Sequence, residues 1–215
     1  MRPLASALAA LLLVGPSAAA AQGVSLAPKF GSTGLGGDVV LSLAPKLSLK
    51  GGVGFLPFEF DLDMGGQTYT VEAPPMLVTG SVDIRVAGPL RIMAGLLYRS
   101  DDTRFAGDLD GDPVEIGDET FSQTGRLEGA LIAAETAPYV GMGLGSLGSK
   151  GFHMYVDLGL AFAGDPDVEL TGSGPITEEP NFEQELEKER LSILADTEDY
   201  YRYWPILNVG FRIGF

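Results

Sequence analysis

Asp108, Asp110 and Asp112 fall at alternate positions, and Glu119 follows them. Together they occupy the first, third, fifth and twelfth places of a calcium loop, where carboxylates gather around a hard cation. Pro113 stands where such a loop requires glycine for its sharp turn, and no helical pattern flanks the segment. A solvated acidic loop is the favoured reading, with weak divalent binding by Asp108, Asp110, Asp112 and Glu119 as the alternative. Val114–Ser122 reads better as a hairpin with its tip at Gly117-Asp118. The chain has one histidine, His153, and no cysteine. Nucleophilic hydrolysis needs a base beside a nucleophile. Two residues on from His153, on the same face of a strand, stands Tyr155 rather than serine. His153 is therefore read as an interfacial or interior residue, and no enzyme activity, catalytic residue or cofactor is expected.

These residues are positioned by a period of two. In Tyr203–Phe215 the odd positions are apolar and the even ones include Asn208, Gly210, Arg212 and Gly214. Phe152–Phe162 sets Met154, Val156, Leu158 and Leu160 against His153, Tyr155, Asp157 and Gly159. The same alternation runs through Val78–Val86, Leu90–Tyr98, Pro138–Leu144, Leu47–Phe55 and Val39–Leu43, and more weakly through Val24–Gly31, where Pro28 lacks a ladder donor. That makes eight strands. Short turns fall at Ala44-Pro45-Lys46, Ala87-Gly88-Pro89 and around Ser146–Gly151. At the other end lie a tight link at Ser32–Gly34, a hairpin tip at Met64-Gly65-Gly66 and two long loops over about 100–136 and 163–202. Short turns at one end and long connections at the other, around an even strand count, form the pattern of a transmembrane β-barrel.

The first residues run Arg2, then a short apolar stretch Leu4–Val14, then Gly15-Pro16 and the alanines Ala18–Ala21. That is the order of a secretory signal peptide, expected over 1–21, which leaves 22–215 as the barrel. Acidic residues number 29 against 14 basic ones, a formal charge of −15, which argues against nucleic acid as a partner. A secreted chain without cysteine cannot rely on disulfides, so burial or lipid must stabilise it.

The strand parity points Lys29, Asp38, Lys50, Asp83, Arg85, Arg91, Arg99, Asp157 and Arg212 to the interior. An eight-stranded barrel is just wide enough for side chains to fill it. Buried ions must be paired, so these residues are read as a salt-bridge network that packs the lumen. A narrow ion or solute path is the competing reading. One amphipathic helix is expected in the second long loop, capped by Asn181 with Gln184 as reciprocal partner. Its apolar stripe is Phe182, Leu186, Ile193 and Leu194, amid many acids.

The chain ends Asn208-Val-Gly210-Phe-Arg-Ile213-Gly-Phe215. Its residues Asn208, Gly210, Ile213 and Phe215 resemble the signal by which the outer-membrane assembly machinery recognises its clients. More widely the chain resembles the small eight-stranded outer-membrane barrels typified by OmpX and the membrane domain of OmpA. More narrowly it resembles a set of largely uncharacterised outer-membrane proteins, through Lys29-Phe-Gly, Thr33-Gly-Leu-Gly36, Leu47-Ser-Leu-Lys-Gly-Gly-Val53, Ala137–Gly143 and Val156–Phe162. The resemblance implies an all-β, closed, antiparallel barrel in the outer membrane of a Gram-negative-type cell. Its partners would be outer-membrane lipid, lipopolysaccharide and, during biogenesis, the assembly machinery. Its role would be structural or surface-interacting, through acidic outer loops.

Overall fold

The computed structural model describes residues 23–56, 59–64, 67–145 and 151–214. The expected signal peptide, Gly65-Gly66 and the terminal Phe215 lie outside them. Eight strands close into one antiparallel barrel: β1 (Gly23–Gly31), β2 (Leu35–Ala44), β3 (Leu47–Phe55), β6 (Met76–Ala87), β7 (Leu90–Arg99), β12 (Thr136–Leu144), β13 (Gly151–Phe162) and β15 (Tyr203–Gly214). Each pairs with the next in this order, and β15 closes on β1 through Ser25↔Gly214 to Gly31↔Asn208. Barrel strands of 9 to 12 residues match the length needed to cross a bilayer at a tilt.

The alternation of the sequence is realised with its apolar side outward. Leu26, Phe30, Leu49, Val82, Ile92, Leu96, Val140, Met142, Leu158, Leu207 and Phe211 are exposed, whereas Lys29, Asp38, Lys50, Asp83, Arg91, Asp157 and Arg212 are buried. A barrel in water would reverse that arrangement, because apolar surface left in water is unfavourable. Aromatic residues stand at both ends of the apolar band. Phe152 stacks on Phe211 at 5.2 Å near the turn end, and Phe162 meets Tyr203 edge-on at 5.9 Å near the other. Such girdles mark the two interfaces of outer-membrane-type barrels.

The structure corrects the two long loops: the one expected over 100–136 is largely strand, and the one over 163–202 is a short strand followed by a helix. Barrel strands run past the rim into a second sheet of five, ordered β14 (Asp167–Ser173), β11 (Thr124–Ile132), β8 (Thr103–Asp110), β5 (Gln67–Glu72) and β4 (Glu59–Met64). On the outward side the residue type switches at the rim. Leu96 and Tyr98 of β7 give way to Arg104 and Asp108 of β8, and Val140 of β12 to Arg126 and Glu128 of β11. The inward side stays apolar, and Val71, Phe105, Leu109, Leu127, Leu131, Val168 and Leu170 form a core of their own. That core is closed by α1 (Phe182–Arg202) and by the small hairpin of β9 (Val114–Ile116) and β10 (Glu119–Phe121). The hairpin turns at Gly117-Asp118, as its sequence indicates.

The helix is longer than the short one expected, 21 residues, and it leads directly into β15. Phe182 and Ile193 are buried and Leu186 and Leu194 pack against the same core, so the expected stripe is the one used. The expected capping box does not form. Asn181 has a left-handed φ of 66° and no side-chain cap bond, whereas capping needs an extended backbone that aims the side chain at the first free N–H groups.

Candidate functional site

The lumen carries a connected charge network built from facing strands. Lys29 of β1 lies 2.6 Å from Asp38 of β2, which also accepts the Tyr155 hydroxyl of β13 at 3.2 Å. Lys50 of β3 lies 2.7 Å from Asp157 of β13 and 3.7 Å from Asp83 of β6. Arg91 of β7 joins both of those carboxylates, at 2.6 Å to Asp83 and by a second ion pair to Asp157. Ser81 donates to Asp83 at 2.7 Å. The Arg91 and Arg212 guanidinium groups flank the Tyr155 ring at 5.6 and 6.0 Å from its centre. Gly210 admits that ring, since a Cβ there would lie 2.6 Å from Tyr155 ring carbons.

Not every interior charge belongs to this cluster. Arg85 is half-buried at the turn end, opposite Arg91. Arg99 is 3% exposed but sits at the far rim, where it donates to the Ala134 carbonyl at 2.9 Å. Its nitrogens Nε and Nη1 have no hydrogen-bond partner among the described residues. His153 faces Arg212 across the β13–β15 ladder, near the turn end. Asn208 accepts the Thr33 hydroxyl at 2.8 Å and thereby ties the β1–β2 turn to β15. Ile213 faces outward.

Little space remains beside these groups. The cavity among Lys29, Lys50, Thr79, Tyr139 and Asp157 holds about 10 Å³, room for roughly one water. Toward the cap the lumen turns apolar: Leu77, Met93, Leu97, Ala137, Tyr139, Ala161, Ala163 and Ile206 form a layer, with Leu56, Ala133 and Trp204 packed on it.

Above that layer the cap is fastened by two carboxylates of α1. Glu185 accepts the Asp118 N–H at 2.8 Å, and Glu189 accepts the Gly117 N–H at 3.2 Å. Both glutamates are buried. Lys188, between them in sequence, reaches Asp118 at 2.7 Å and Glu185 at 2.8 Å. The Lys188 ammonium and the Asp118 N–H hold Glu185 below the usual carboxylate range. Spacing of four along a helix puts both side chains on one face, but only the hairpin's position shows why they turn inward. Gly117 has φ of +63°, and a Cβ there would lie 2.7 Å from Glu185 backbone and carboxylate oxygens. Gly117→Ala is therefore expected to cost about 1–2 kcal/mol locally. Faster proteolytic nicking of the hairpin, with the barrel's heat-modifiable gel mobility retained, would show it.

The acidic quartet does not converge. Asp108 lies on the outer face of β8 and pairs with Arg126 at 2.6 Å. Asp110 ends the same strand, Asp112 lies in the following turn and Glu119 opens β10. Among the described residues no three histidine, cysteine or acidic side chains gather to hold a metal. Extended β-strand between Asp108 and Asp110 keeps the chain from coiling around an ion. Instead Arg104, Arg126, Glu72 and Glu128 border a groove of about 480 Å³ on the outer face of the cap sheet.

No protein-family model matches the chain, and no curated protein matches it in sequence. Solved structures match in shape. The crystal structure of CarO2 from Acinetobacter baumannii is 21% identical, with 90% of this chain and 98% of that chain covered and a TM-score of 0.64. The crystal structure of CarO from the same organism is also 21% identical, covering 91% of this chain and 98% of that one with a TM-score of 0.60. The chain thus has the fold of a small outer-membrane β-barrel.

Proposed function

We propose that the chain is a non-enzymatic protein of the outer membrane, with its cap on the cell surface and its turn end in the periplasm. Its role is to support the membrane and to present the acidic cap for surface contact. The observation that carries this reading is the filled barrel: a paired charge network below, an apolar layer across the lumen, and a folded cap on top. A conducting pore needs a continuous water path, and a dry apolar layer interrupts one. The order of Arg2, the apolar stretch Leu4–Val14 and the alanines Ala18–Ala21 supports export, and the Asn208–Phe215 pattern supports recognition by the assembly machinery. Lipopolysaccharide is the neighbour the geometry favours, because the charged outer face of β8 and β11 continues the lipid-facing wall just past the rim.

Purified protein in planar bilayers tests this directly. No reproducible conductance steps are expected. Steps that disappear when Arg91 or Arg212 is neutralised would establish the narrow channel or solute carrier instead. For the non-enzymatic part, His153→Ala is expected to leave the lipid A and phospholipid profiles of the cell unchanged. A changed profile would make the protein a lipid-modifying enzyme.

A further inference from the structure

The two carboxylates that hold the hairpin tip stand in opposite electrostatic settings. Glu185 has its cation, Lys188, and shares it with Asp118. Glu189 is 6% exposed and has no ion pair among the described residues. The titratable groups that face it are Glu115 from β9, Asp196 from its own helix and the Tyr69 ring from β5. Among the described residues its hydrogen-bond donor is the Gly117 N–H. We infer that this pair is an acid-tightened latch, in which protonation of Glu189 secures the β9–β10 hairpin against α1 and ionisation of Glu189 loosens the cap.

The chemistry balances within the site. A protonated Glu189 keeps one oxygen to accept the Gly117 N–H and carries no charge that burial would penalise. Loss of that proton to solvent leaves a buried anion among other acids, which desolvation and like charges disfavour. Burial, first, and then Glu115 and Asp196 push Glu189 above the usual carboxylate range, against the opposing Gly117 N–H. A group raised in the docked state contributes docking strength below its ordinary value and loses it as pH rises through the raised one. Glu185 is lowered, so its contribution is lost only as pH falls below the ordinary glutamate range, about 4.3. Docking is therefore strongest in mild acid and weaker at neutral and alkaline pH.

The chain has no cysteine, so two can be placed at will. Spin labels at Thr120→Cys on the hairpin and Gln184→Cys on the helix, both exposed positions, report the gap by electron–electron distance measurements on the full folded protein. A single short distance is expected at about pH 5, with a longer component growing several-fold by about pH 8. In Glu189→Gln the short distance is expected at every pH. In Glu115→Gln the transition is expected at lower pH, because one repelling carboxylate is gone. A pH-independent distance in the parent, an unshifted transition in Glu115→Gln, or opening of Glu189→Gln in step with the parent would each overturn the latch. Heat-modifiable gel mobility checks that each variant barrel is folded.

Discussion

Asp157→Ala is expected to destabilise the barrel by about 3–5 kcal/mol. Asp157 is the carboxylate shared by Lys50 and Arg91. Its removal leaves Lys50 with Asp83 at 3.7 Å and Arg91 with Asp83 alone. Two buried cations on one anion is the costly state, because each lost its hydration on folding and only one counter-charge remains. Urea unfolding in lipid vesicles, followed by the fluorescence of the single tryptophan, Trp204, measures the loss. Adding Arg91→Met should recover part of it, since the surplus charge is then gone and an apolar side chain fills the space. Strong non-additivity in that double-mutant cycle is the signature of a network rather than independent pairs. A loss below about 1 kcal/mol would mean that water reaches the lumen freely and screens the charges.

Leu96→Arg is expected to cost about 2–4 kcal/mol in a bilayer. Leu96 is 55% exposed, the seventh of the ten residues of β7, between Gly80 of β6 and Pro138 of β12 on the outward side. A guanidinium there meets acyl chains. Thr124→Arg provides the comparison: it too lies on the outward side, but past the rim on β11 and opposite Asp110. An arginine there meets solvent, and a change within about 0.5 kcal/mol is expected. Equal costs at the two positions would mean that the rim does not separate lipid from water where the residue types switch.

The barrel was readable in the sequence because its two faces differ sharply. Along β13, Met154, Leu158 and Leu160 alternate with Tyr155, Asp157 and Gly159, and parity alone put Asp157 in the lumen with Lys50, Asp83 and Arg91. Parity could not say which of these touch. It grouped Arg99 with them, although Arg99 lies beyond the apolar layer and bonds a backbone carbonyl. The cap sheet was hidden for a different reason. Its inward positions include Gly107, Gly125, Gly129 and Gly172, which weaken any hydrophobic rhythm. At Gly129 and Gly172 the space is filled from outside the strand, by the Phe105 and Phe182 rings. The inward turn of Glu185 and Glu189 was out of reach altogether, because polar residues on a helix read as a solvated face until a turn of backbone is found above them. Gly210 and Asn208 read as parts of a terminal recognition pattern, and the structure adds a packing role for each, beneath the Tyr155 ring and against Thr33.

Strands that continue past the rim have a consequence for anything that meets the cap. Flexible loops must be ordered when a ligand arrives, and each immobilised side chain then subtracts from affinity. Here the outer face of β8 and β11 is held in register by its own antiparallel ladder, Thr124↔Asp110 to Leu131↔Thr103, which takes up just past the β7–β12 ladder of the barrel. Its groove, bordered by Arg104, Arg126 and Glu128, is shaped before contact. Recognition of such a surface depends on the spatial arrangement of residues from separate strands, so a short linear peptide from either strand would be a poor mimic of it.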